Sequence, residues 1–191
     1  EADRRSQYAV SLIRHDMRHF LTNISTHIDN GEYEKAKEYI NEIIKTSDKT
    51  AMHKYCENPT VNMILSSYES TVKNNGIDFR YTLAIPKELP VSDIDLTSIL
   101  SNAVENACHA VLPLEKEQRY MSLDMRMRDG KLLICLKNTF AEKPEITDGV
   151  PRSREPGHGF GTQSILYVTE KLHGNCQFAV EEDLFIIRII L

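Results

Sequence analysis

Two amides and a run of glycines are the residues best suited to chemistry. Asn102 and Asn106 stand one helical turn apart within Ser101-Asn102-Ala103-Val104-Glu105-Asn106-Ala107-Cys108-His109-Ala110. At about 3.6 residues per turn, Asn102, Asn106 and His109 share one narrow face, with Ile99, Leu100, Ala103, Ala107 and Val111 on the neighbouring apolar one. Such a helix packs on one side and offers amides on the other. Amide oxygens spaced this way suit a hard cation that keeps several of its waters, as Mg²⁺ carried by a nucleotide does. Downstream, Gly157-His158-Gly159-Phe160-Gly161 opens another helix. Glycines there let backbone N–H groups approach phosphate oxygens, and the helix N-terminus adds a favourable field. Alone, the asparagine spacing also fits the polar edge of a buried helix. The glycine run is what turns it toward phosphate.

A second constellation lies near the front, in Arg14-His15-Asp16-Met17-Arg18-His19. Val10, Ile13, Met17, Phe20, Ile24 and Ile28 recur every three or four positions, an amphipathic helix with a coiled-coil-like seam. His15 points away from that seam, with His19 and Thr22 beside it, so it is expected to be exposed. Asp16 could take a proton from one ring nitrogen and make the other a better nucleophile. His-Asp-x-x-His is also one methylene away from the His-Glu-x-x-His of zinc proteases. That reading needs a third ligand, for which His27 is badly placed, and it leaves the asparagines and glycines unexplained. A phosphoacceptor accounts for all of them together.

The elements that must position these groups follow from pattern and punctuation. Asn30-Gly31 breaks the first helix and a second runs from Glu32 to Thr50, which predicts an antiparallel hairpin. Too short to bury its own stripe, it is expected to pair with a second copy as a four-helix bundle. Asn58-Pro59 starts a helix and Asn74-Asn75-Gly76 stops it. Ile77 to Ile85 alternates as a strand. Ser92 and Asp95 cap the Asn102 helix, which Pro113 closes. Met121 to Met127 and Lys131 to Lys137 form a hairpin around Asp129-Gly130. Thr139 to Pro156, with three prolines and little periodicity, reads as a long loop placed where a lid over a nucleotide would sit. A helix from Gly161 to His173 and a last hairpin, Cys176 to Val180 with Leu184 to Leu191, complete the chain. The expected architecture is α+β: a helical hairpin at 1–54, then a two-layer sandwich at 55–191.

Bulk numbers narrow the class. The 191 residues are 41% hydrophobic and 27% charged, a globular balance. With 23 Lys and Arg against 28 Asp and Glu, the net charge of -5 gives no basic field for nucleic acid. Cys56, Cys108, Cys135 and Cys176 form no Cys-x-x-Cys pair and read as thiols in a reducing compartment. No apolar run approaches the roughly 20 residues that cross a bilayer. The abrupt helical start, without an initiator Met, reads as a piece of something longer, from which a membrane part would be missing.

Asn-x-x-x-Asn followed by Gly-x-Gly-x-Gly resembles the N box and second glycine box of the GHKL ATPases, the superfamily of histidine kinases, gyrase, Hsp90 and MutL. With the front histidine included, nearly the whole chain resembles the cytoplasmic kinase core of a sensor histidine kinase. Its Arg-His-Asp box is most similar to the AgrC and ComD type of peptide-signal receptor. The resemblance implies a GHKL (Bergerat) sandwich, a homodimer through the hairpin, and ATP with Mg²⁺ as cofactors. It implies phosphoryl transfer to His15, with Asp16 as general base, and onward to an aspartate of a response regulator, often of LytTR type. It places Asn102 and Asn106 as Mg²⁺ and phosphate ligands, His109 on the same nucleotide-facing side, and Gly157, His158, Gly159 and Gly161 in the phosphate-facing turn. The usual Asp-x-Gly-x-Gly adenine box is absent. Lys137-Asn138-Thr139 stands in its place, with Asn138 at the adenine position, where an amide can both accept and donate. Arg152 and Arg154 lie in the lid as solvated charges or phosphate contacts. His19 replaces the Asn usual four residues after the acceptor, which puts regulator dephosphorylation in doubt and makes His19 a second candidate acceptor. The alternative is a GHKL nucleotide-binding module that acts only as an interaction protein.

Overall fold

The computed structural model describes residues 21–43, 54–152 and 160–191. The chain divides into two compact units, Glu1–Lys49 and Thr50–Leu191. His15, Asp16 and His19 lie outside the described residues, as do Gly157, His158, Gly159 and Arg154.

In the first unit, residues 21–29 form helix α1, and α2 spans Tyr33–Ile43. Gly31 separates them at φ 73°, a left-handed conformation in which a side chain would be strained. The Gly31 N–H donates to Ile28 O at 2.9 Å and the Glu32 N–H to His27 O at 2.8 Å, closing the first helix. Across the turn, Asn23 Nδ2 donates to the Tyr39 hydroxyl at 3.0 Å and His27 Nδ1 meets Glu32 Oε2 at 2.9 Å. Ala36 is buried, while Leu21, Ile28 and Tyr33 are exposed.

The second unit opens with a strap fastened by one amide. Asn62 Oδ1 accepts from the Tyr55 and Cys56 N–H groups, both at 2.9 Å, and Asn62 Nδ2 donates to Cys56 O at 2.8 Å. Helix α3, Pro59–Asn74, has Asn58 as N-cap, whose Oδ1 accepts from the Val61 N–H at 2.9 Å. Strand β1, Asp78–Ala84, leads into α4, Asp93–Val111, where Ser92 Oγ accepts from the Asp95 N–H at 3.2 Å. A single 3-10 turn, Lys116–Gln118, precedes β2, Tyr120–Arg128, and β3, Lys131–Thr139. After the lid come α5, Phe160–Lys171, then β6, Asn175–Glu181, and β7, Leu184–Ile190.

The strands form one mixed sheet in the order β1-β2-β3-β7-β6. β1 runs parallel to β2 because α4 carries the chain across between them, and the other pairs are antiparallel. Alternate residues Leu132, Ile134 and Leu136 of β3, with Met121, Leu123 and Met125 of β2, point to the helical side. They bury against Leu65 of α3, Leu96, Ile99, Leu100 and Ala103 of α4, and Ile165 of α5. The α+β sandwich expected for this part of the chain is therefore observed.

One expectation fails. The stretch from Thr139 to Pro156 is not a featureless loop, for Glu145–Thr147 (β4) and Val150–Arg152 (β5) pair as an antiparallel hairpin. Asp148 at φ 53° and Gly149 at φ 79° make the left-handed two-residue turn that suits the twist of a hairpin.

Candidate functional site

The central helix α4 turns its buried side to the sheet, and Asn102 and Asn106, both half-buried, look toward the start of α5. Helix α5 runs back along α4 and is fastened at two levels. Ser98 Oγ meets Ser164 Oγ at 3.1 Å, and Lys171 Nζ meets Asp95 Oδ1 at 2.7 Å. The Lys171 ammonium, with the Ser92 hydroxyl second, holds the Asp95 carboxyl below its usual range. Small side chains at the crossing bring the two helices close.

Gly161 shows how close. A Cβ placed on it would sit 3.0 Å from both Asn106 Oδ1 and Nδ2 and 3.1 Å from Asn102 Oδ1. Only a glycine leaves those amide heads undisturbed beside the first turn of α5. Asn102 is also fixed from behind, since its Nδ2 donates to Ser98 O at 2.7 Å. That bond leaves Oδ1 as its free acceptor on the Gly161 side.

Beside this junction lies a pocket of roughly 140 Å³, walled by Asn106, Ala107 and Ala110 of α4, Asn138 at the end of β3, Thr162 of α5, and Phe185 and Ile187 of β7. Phe140, Pro144 and Pro151 close its lid side. The alanines are what make room under α4. Asn138 is 1% exposed and continues the buried row of Leu132, Ile134 and Leu136 as a polar residue at its end. Its Nδ2 donates to Thr139 O at 2.8 Å.

Four of the residues singled out in the sequence thus come together: Asn102, Asn106, Asn138 and Gly161. His109 is exposed, one turn further along α4, and the described lining of the pocket does not include it. Thr162, Phe185, Ile187 and the two lid prolines were not anticipated. Thr162 follows directly on the glycine run, while the strand residues carry no mark beyond their alternation.

The donor set fits a nucleotide-borne cation. Among the described residues no group of three or more His, Cys, Asp or Glu side chains could hold a metal ion. The amide oxygens of Asn102 and Asn106 offer a neutral, partial shell of the kind that Mg²⁺ accepts when phosphate oxygens and water supply the rest. Gly161, with no Cβ, leaves the α5 end open to such a group.

A mixed sheet covered on one side by three helices, with this junction at the edge of the central helix, is the fold of histidine kinase catalytic domains. The catalytic domain of the histidine kinase ThkA superposes with a TM-score of 0.57 at 13% identity, over 69% of this chain and 90% of that one. The mycobacterial sensor histidine kinase MprB gives a TM-score of 0.53 at 18% identity, over 69% of this chain and 92% of that one. The Acinetobacter baumannii histidine kinase AdeS gives 0.56 at 11% identity, over 93% of this chain and 96% of that one. No curated protein matches the chain in sequence. A family model for the GHKL domain matches residues 91–191, from the N-cap of α4 to the last strand. The chain belongs to the GHKL family.

Proposed function

We propose that this chain is the kinase core of a sensor histidine kinase, which transfers the γ-phosphoryl group of Mg·ATP to His15 and then to an aspartate of a response regulator. The observation that carries the nucleotide half of this reading is the meeting of Asn102 and Asn106 with Gly161, beside a pocket walled by Asn106 and Asn138. Residues 1–54 are the dimerisation and phosphotransfer hairpin and 55–191 the catalytic domain. The likeness to AdeS, over nearly the whole chain, supports that division.

In this scheme Asn102 and Asn106 present neutral oxygens to the cation and phosphates, and the α5 end, Gly157, His158, Gly159 and Gly161, supplies N–H donors to the phosphate oxygens. His109 extends the polar face of α4 toward the phosphates. Bound Mg²⁺ supplies charge neutralisation on the transferring group. Asp16 holds the proton on one nitrogen of His15, the other nitrogen forms the new N–P bond, and the P–O bond to ADP breaks. The residues do little covalent chemistry themselves. They position and neutralise.

The Arg14-His15-Asp16 box and the Asn138 substitution support the AgrC and ComD-like subgroup, which carries with it a homodimer, a membrane sensor on a longer chain, cytoplasmic placement of this portion and a regulator of LytTR type. The test is incubation of the chain and its His15→Ala variant with γ-labelled ATP and Mg²⁺. Acid-labile, base-stable label that disappears in the variant is the expected result. Label that persists moves the acceptor to His19 or elsewhere, and nucleotide binding without label in either protein leaves an interaction module in place of a kinase.

A further inference from the structure

A second cavity, of roughly 490 Å³, opens at the end of the sheet where β2 begins and β3 ends, and it takes no part in the site described above. Its size falls within the roughly 300–1,000 Å³ that small-molecule sites occupy. Asn138 and Thr139, as neighbours on a strand, take opposite sides of β3, so the first walls the pocket beside α4 and the second walls this one. Phe140 borders both. The rim is firmly built. Thr139 Oγ1 donates to Gln118 O at 2.7 Å and accepts from the Tyr120 N–H at 3.1 Å, and Thr139 lies opposite Leu184 in the β3–β7 register.

Leu114, Tyr120 and Phe140 give this cavity apolar walls, and the charged side chains among its described walls, Glu117 and Asp183, are both acids. Glu117 comes from the 3-10 turn before β2 and Asp183 from the turn between β6 and β7, so they flank the end of β3. Neither carboxylate has a hydrogen-bond or ion-pair partner among the described residues. Two arginines stand close by and both are committed elsewhere. Arg80 lies over the Tyr120 ring, 5.4 Å from its centroid, but is bound to Asp78 Oδ2 at 2.7 Å. Arg119 donates to the carbonyls of Leu112, Leu114 and Asn75. A bare metal ion is not what the walls suit, since two carboxylates fall short of a shell and no group of three or more His, Cys, Asp or Glu gathers among the described residues. Aromatic walls with acids at the rim suit a cation that brings an apolar body of its own. We infer that this cavity binds an organic cation, an amidine, guanidine or ammonium group on an apolar frame, with Glu117 and Asp183 holding the charge and Tyr120 and Phe140 taking the frame. The site stands apart from the nucleotide reading and does not depend on it.

Benzamidine and benzamide share one shape, the first a cation and the second neutral, so the pair isolates the charge. Titration of the whole, ¹⁵N-labelled chain with each, followed by amide NMR signals, is expected to show saturable shifts at Gln118, Tyr120, Phe140 and Asp183, with benzamidine binding at least about tenfold tighter than benzamide. The double variant Glu117→Gln, Asp183→Asn replaces two exposed carboxylates by amides of the same size. It should bring benzamidine down to the benzamide level and leave benzamide unchanged, with the rest of the spectrum confirming the fold. Equal binding of the two probes, benzamidine shifts that do not saturate, or a preference for benzamidine that survives in the double variant overturns the inference. So do shifts centred on Asn106, Ala107 and Ala110, which would put the probe in the other pocket. A chain that binds no nucleotide but still takes benzamidine in this way loses the nucleotide reading and keeps this one.

Discussion

Gly161→Ala separates the site from the fold, because its two consequences have opposite signs. The glycine lies in the first turn of α5 with an ordinary helical backbone, so alanine lowers the entropy of the unfolded chain and favours the helix by up to about 1 kcal/mol. The new methyl meets only side-chain ends, at 3.0 Å from the Asn106 amide atoms and 3.1 Å from Asn102 Oδ1, and these move aside by a few tenths of an ångström without disturbing the backbone. For a chain of this size the thermal midpoint should hold or rise, by about 2–4 °C per kcal/mol. The two amides, however, no longer stand where the proposed phosphate and cation contacts require them. At about 1 kcal/mol for each compromised bond the loss is about 2 kcal/mol, or a roughly thirtyfold weaker complex with Mg²⁺ and a non-transferable ATP analogue. Thermal unfolding and calorimetric titration of the same protein give both numbers. Gly174→Ala is the control, since its methyl would run into the Ile190 carbonyl oxygen and come within 2.7 Å of Leu191 Cδ2, so backbone must move and the midpoint should fall. The reasoning is refuted if Gly161→Ala unfolds earlier than the parent, as Gly174→Ala should, or binds the analogue unchanged.

The Asp95–Lys171 pair gives a pH dependence. Because the folded carboxyl titrates below its unfolded value of about 3.9, the stabilisation is fully present above that value and disappears as pH falls through the lower, folded one. Asp95→Asn should thus melt below the parent at pH 7, with the gap closing under acid, and a gap that stays constant down to pH 3 would discard the pair as its source. The cysteines offer a second check. Burial pushes the Cys108 thiol up to about 11 and the Cys176 thiol to about 12, so at pH 8 about one in a thousand of the former is thiolate. Ellman's reagent should leave both untouched in the native chain and modify them after denaturation; fast labelling of Cys108 in the folded state would contradict its packing.

The parts of this molecule that local chemistry specifies could be read from sequence. Asn58-Pro59, Ser92 and Asp95, and Asp129-Gly130 fix their own caps and turn, and the alternation of Met121 to Met127 marks β2 without help from elsewhere. The β4–β5 hairpin shows the limit. Thr147-Asp148-Gly149-Val150 carries a turn signal as plain as that of Asp129-Gly130, but its strands are three residues each, too short for periodicity to register, and prolines surround them. The parallel pairing of β1 with β2 was equally hidden, because alternation tells which face a residue takes and not which strand lies beside it. At the site, the polar side chains announced themselves by type and spacing. The apolar walls did not, for Phe185 and Ile187 are ordinary strand residues until the fold brings β7 under the pocket.

The amides of α4 and the glycine of α5 are separated in the chain by the whole β2–β3 hairpin and the lid, and nothing short of the assembled sandwich joins them. A nucleotide that binds there recognises a completed fold and has no counterpart in a partly built one. Mass action then couples the two equilibria: at a hundredfold excess over its dissociation constant the ligand adds about 2.7 kcal/mol to the folding of the entire domain, not only of its binding loop. In a cell the concentration of such a nucleotide would then set the chain's lifetime against proteolysis.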